Sequence, residues 1–196
     1  MRRTGIARTA LVLALAATGV VTAQVADTVT ASRVSAAPAQ AHPLLPASRL
    51  QGEALLRFWG LRIYQARLWL APEARPNNWS EHPLALELAY LRDLKGRAIA
   101  ERSIEEMRRG GTFTEAQAQS WLTQMQALFP DVASGDRLTG IYLPGQGARF
   151  AFNGRIVGQI DDPQFARLFF GIWLAPTTSE PEMRLSLLGL AANPSR

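Results

Sequence analysis

Between Leu50 and Leu188 the spacing of apolar residues switches from every second position to a helical period and back again. Leu50 to Trp59 and Leu61 to Leu70 are strand-like and separated by Gly60, with Ile, Tyr, Trp and Phe suited to a pleated surface. In the second run Tyr64, Ala66, Leu68 and Leu70 share one face, while Ile63, Gln65, Arg67 and Trp69 share the other. Pro72 to Pro83 is a loop, and Leu84 to Arg92 alternates again with Leu84, Leu86, Leu88 and Tyr90 on one side. Ala100, Ile104 and Met107 then fall at helical spacing, and Gly110-Gly111 stops that helix. Thr114 and Gln117 form a capping box. The helix it opens carries Ala118, Trp121, Leu122, Met125, Leu128 and Phe129 and ends before Pro130.

Alternation resumes at Leu138 to Leu143, Ala148 to Phe152 and Arg155 to Ile160. Asn153-Gly154 between the last two is a hairpin signal, because both turn positions tolerate positive φ. Asp161 or Asp162 caps a helix with Pro163 in its first turn and Phe165, Leu168, Phe169, Ile172 and Trp173 as its apolar positions. This helix is apolar on most sides and is expected at the centre; a short helix, Glu180 to Leu188, ends the domain. Amphipathic helices must bury their stripes, and the sheet is the available surface. The fold class is therefore α+β, a largely antiparallel sheet covered on one face by helices.

The amino end has a different logic. Arg2, Arg3 and Arg8 form a cationic n-region, Ala10 to Val21 an apolar h-region, and Val21-Thr22-Ala23 a small-x-small cleavage step. Residues 1–23 read as a cleavable signal peptide on the general secretory route, which predicts a periplasmic or secreted protein. The alternative is an uncleaved anchor, but the run falls short of the about 20 apolar residues of a membrane span. No stable membrane insertion is expected after cleavage. Residues 24–47, rich in Ala, Ser, Thr, Val and Pro, read as a flexible tether, and 48–190 as the domain.

Removing Arg2, Arg3 and Arg8 with the signal lowers the net charge from +5 to +2, too little for a nucleic-acid footprint. With no cysteine there is neither a disulfide framework nor thiol chemistry. The two histidines, His42 and His82, are far apart, so no structural zinc site is expected; Asp161-Asp162 reads as a helix start and not a metal pair, and no cofactor is assigned. Neither histidine lies where a Ser-His-Asp hydrolase would need it.

Several segments resemble the chalcone isomerase family, in particular a bacterial secreted branch, in their order and spacing. They are Trp59 to Trp69, Leu91-Arg92-Asp93-Leu94, Gly135-Asp136, Tyr142 to Gly147, Asn153-Gly154 and Phe165 to Leu174. The resemblance implies an open-faced β-sandwich with a ligand cleft between the large sheet and its helices. It also implies a site. Chalcone closure needs a cation near the ketone oxygen and hydroxyls that orient water and the attacking phenolate. The family supplies an arginine after a Gly-rich turn, a strand threonine, a helix tyrosine and a late-helix threonine. Here those positions fall on Leu56, Tyr64, the Tyr-free stretch Phe113 to Gln117, and Phe169. These departures point away from chalcone cyclisation, so no catalytic residue is assigned.

The leading expectation is a non-catalytic protein binding a small amphipathic or hydrophobic acid, fatty-acid-like, in the sheet–helix cleft, as non-catalytic relatives of the family suggest. One alternative is an isomerase or intramolecular lyase on another substrate, with Tyr64 as donor and Arg57 or Arg67 as cation. The other is an envelope structural or assembly factor whose cleft is filled by its own side chains. A carboxylate in an apolar cleft must be paired, because desolvating it alone costs about several kcal/mol. Tyr64 is the first candidate ligand-binding residue, Arg67 the second and Arg57 the third, with Arg62 and Arg92 the other cations in reach of a cleft. Each has a plainer reading: Tyr64 a core tyrosine, Arg67 an open-face arginine stacking on Trp69, Arg92-Asp93 a helix cap. Arg97, Arg102, Arg108 and Arg109 with Glu101, Glu105 and Glu106 read as a solvated helix face.

Overall fold

A computed structural model describes residues 41–191. Residues 1–40, which include the segment read as a signal peptide and most of the one read as a tether, lie outside the described residues. The elements follow the expected order: β1 (Arg49–Phe58), β2 (Leu61–Leu70), β3 (Leu84–Tyr90), α1 (Gly96–Gly110), α2 (Glu115–Leu128), β4 (Arg137–Leu143), β5 (Gly147–Phe152), β6 (Arg155–Ile160), α3 (Pro163–Leu174) and α4 (Pro181–Leu187). A single 3-10 turn, Trp79–Glu81, interrupts the loop before β3.

The six strands form one antiparallel sheet whose spatial order is their chain order. Asn153 (φ 48°) and Gly154 (φ 81°) make the expected tight turn between β5 and β6. The β1–β2 turn differs from expectation. The first strand stops at Phe58, and Trp59 (φ 52°) with Gly60 (φ 77°) forms the turn. Two positive φ values match the right-handed twist of the flanking strands, so the geometry of the hairpin puts Trp59 there despite its side chain.

The face of Leu68, Leu86 and Phe150 is buried under the helices, with α3 at the centre. Phe170 reaches the sheet at Gly140, where an added Cβ would lie 2.9 Å from the Phe170 ring. Glycine there lets the helix sit close. Asp162, rather than Asp161, caps α3, accepting from the amides of Gln164 (2.8 Å) and Phe165 (3.0 Å). The Thr114–Gln117 capping box of α2 forms as expected. Arg92-Asp93 does not cap α1: Asp93 accepts from the Ser134 amide, and Asp131 from the far end of α2 accepts from the Gly96 amide at 3.0 Å. The α4 carboxyl end closes on β1, where Gly52 leaves room for the carbonyls of Ser186 and Leu187.

The opposite face of the sheet carries no helix among the described residues. Residues 41–48 lie on it instead, with His42 only 4% exposed, edge-on to Trp69 at 4.7 Å and 3.9 Å from Glu87. Glu87 is also paired with Arg137. No helix among the described residues is long and apolar enough to cross a membrane.

Candidate functional site

The cleft implied by the sequence lies between the middle strands and α3, where alternation on β3, β4 and β5 aims one row of side chains at the helix. Leu86, Leu88, Leu138 and Phe150 meet Phe169, Phe170 and Trp173 there. The space left is about 10 Å³, room for at most one water. Phe169 fills much of it, with Phe150, Phe165 and Trp173 rings all within 5.5 Å.

Tyr64 stands at the edge of this cleft, on the helix-facing side of β2. Its hydroxyl accepts from the Trp173 indole N–H at 2.9 Å, and its ring packs edge-on against Tyr90 at 5.8 Å. Burial pushes the Tyr64 hydroxyl far above its ordinary pKa of 10.0; the bond from Trp173 opposes this only in part. The phenol is therefore a neutral, poorly acidic group at physiological pH. Tyr90 is shifted the same way by burial, with a smaller contribution from Tyr64.

Arg67 is on the other face of the sheet, as the alternation of β2 requires, so it does not enter the cleft. Its guanidinium lies 3.2 Å from Glu53, on the strand face it shares with Trp69. Arg57 also misses the cleft, because it belongs to the far end of an edge strand. A register shift between Leu56 and Arg57 sets Leu56 opposite Tyr64 and Arg57 opposite Arg62. Arg57, Arg62 and Arg92 instead line an open groove of about 790 Å³ with Leu61, Asp93 and Ser134. An acid bound in this groove stays largely hydrated, unlike one desolvated in a cleft. The structure thus keeps the three candidate residues apart: one at the cleft, one on the open face, one in the groove.

Glu106 escaped sequence reading. The charged face of α1 is solvated as expected at the Arg97–Glu101 and Arg102–Glu105 pairs, but Glu106 is only 7% exposed. It is held by Arg102 and by Arg109 at 3.2 Å. Its place one position before Met107, on the edge of the apolar stripe, was the available signal. Trp173 is the other missed residue: its helical spacing marked it as core, and nothing in the sequence linked its indole to Tyr64. Among the described residues no group of three His, Cys, Asp or Glu side chains is placed to hold a metal ion.

Comparison with known proteins bears on this geometry. The fold is similar to that of an Arabidopsis thaliana fatty-acid binding protein, AtFAP1, with a TM-score of 0.55 and 16% identity over 79% of this chain and 93% of that one. The sequence is 36% identical over 132 residues to an uncharacterized protein of Haemophilus influenzae, a match covering 67% of this chain and 63% of that relative's length. The family model described as chalcone isomerase-like matches residues 36–189, and the chain belongs to that family.

Proposed function

We propose that this protein is an exported, non-catalytic member of the chalcone isomerase-like family that acts through its surface, as a structural or assembly factor with a filled cleft. The observation that carries the reading is the packing between β3–β5 and α3. A void of about 10 Å³ compares with the about 300–1,000 Å³ of sites that bury small molecules. The positions at which the family places a cation and a late hydroxyl hold Leu56 and Phe169, and the phenol of Tyr64 is tied to Trp173. Nothing in the cleft offers the enolate stabilisation that cyclisation demands. The tripartite amino end supports export to the periplasm or beyond.

A second reading is favoured by the likeness to AtFAP1 and by the wholly apolar lining beside Tyr64: a fatty-acid-like molecule displaces Phe169 and Trp173 and fills the space they leave. Native mass spectrometry of protein taken straight from its cells separates the two. A bare mass of the mature chain, starting near residue 24, is expected, with a chalcone cyclising in its presence no faster than in buffer. A stoichiometric acyl acid would establish the second reading. Catalysed cyclisation abolished by Tyr64→Phe would overturn both, and a mass retaining Met1 would refute export by cleavage.

A further inference from the structure

The β1–β2 hairpin end breaks three local rules at once. Trp59 is 88% exposed, with Phe58 at 60% and Leu61 at 48% on either side of it. A large apolar side chain at φ 52° is strained, where Asn or Gly would be at ease. One rung behind, Arg57 and Arg62 are directly opposite each other across the strands, a repulsive pairing. Neither they nor nearby Arg92 makes an ion pair among the described residues. Asp93 is the acid of the same groove, and one of its oxygens already accepts from the Ser134 amide. Such clustered violations, with no structural gain, mark functional sites.

We propose that this hairpin end docks the protein on an anionic lipid bilayer. The layering of the residues carries the choice of partner. Phe58, Trp59 and Leu61 form a protruding apolar tip, and nothing lies within 4 Å of the Cβ direction at Gly60. A convex tip exposed all round suits a deformable phase. The arginines follow about 3.4 Å per residue behind it, the order in which a bilayer presents its acyl boundary and its phosphates. Trp at the interface and Arg at the headgroups are the side chains favoured at those depths. The inference is independent of whether the cleft under α3 takes a ligand.

The test is sedimentation of the full mature chain with phosphatidylcholine vesicles, with and without phosphatidylglycerol, across a salt series. Binding is expected to be stronger on the anionic vesicles and to weaken with salt as the Debye length shortens. Trp59→Asn suits the turn and folds, and is expected to weaken binding about tenfold or more through lost apolar burial. Arg57→Gln with Arg62→Gln is expected to remove the preference for anionic vesicles, about fivefold per arginine at low salt. Absence of vesicle binding, or wild-type binding by Trp59→Asn, would overturn the proposal. So would displacement from vesicles by millimolar inorganic phosphate, which would assign a small-anion site. Arginine-dependent binding to polyglutamate without binding to vesicles would assign an acidic protein partner instead and equally overturn it.

Discussion

Tyr64 and Trp173 join β2 to α3 through one hydrogen bond shielded from water. Because the phenol accepts, deleting it leaves a buried indole N–H without a partner, and Tyr64→Phe is expected to destabilise the fold by about 1–3 kcal/mol. Chemical denaturation of the variant measures this. Ionisation gives a second reading of the same residue. All three tyrosines, Tyr64, Tyr90 and Tyr142, have hydroxyls raised above the ordinary 10.0 by burial. A raised native value favours the protonated form, so the contribution is intact below pH 10 and is lost as pH climbs, when the unfolded chain releases protons that the native chain keeps. Phenolate absorbance is therefore expected to lag behind free tyrosine above pH 10 and to rise together with loss of structure. Titration of Tyr64 or Tyr90 at the free value in folded protein would contradict the buried pair.

Hairpins and caps show how element ends are settled. The Asn153-Gly154 turn was legible because its residues suit positive φ. Trp59 has a side chain that belongs in a strand, whereas the pairing of Phe58 with Leu61 forces it into the turn. Relief of that conflict predicts that Trp59→Asn raises stability by about 1 kcal/mol, measured as a higher midpoint in denaturant at unchanged slope. At α1 the sequence offered Asp93, and a residue 35 positions downstream of Gly96, Asp131, makes the bond. Local sequence cannot rank two acids when one arrives through the tertiary fold.

The described residues are built on a sheet with two unlike faces. The covered face holds the aromatic core; on the other, His42 and Arg137 gather at Glu87. Burial alone would raise the Glu87 pKa, but the His42 contact and the Arg137 charge outweigh it and hold the carboxyl below its ordinary 4.5. A depressed native value stabilises above the unfolded pKa, and that stabilisation is lost as pH falls through the native one. Stability is thus expected to decline below about pH 4.5, and Glu87→Gln to flatten that acid limb in a plot of unfolding free energy against pH. An unchanged acid limb in Glu87→Gln would mean that the cluster contributes nothing to the linkage.

The sequence by itself determined the element order, the face that each strand buries and the central place of α3, because these follow from periods of two and about 3.6 that any local window contains. It also placed Tyr64 and Arg67 on opposite faces of β2 by the same alternation. Only the tertiary structure decided which of those faces meets the helices, since each strand's parity is silent about what covers it. The fate of the cleft was decided there too. Leu56 and Phe169 announced a loss of polar groups, but whether α3 leaves a cavity or closes on the sheet depends on how Phe169, Phe170 and Trp173 interdigitate with Gly140 and Phe150. Close packing of that kind is a property of facing elements at their final distance, and no single segment of the chain contains it.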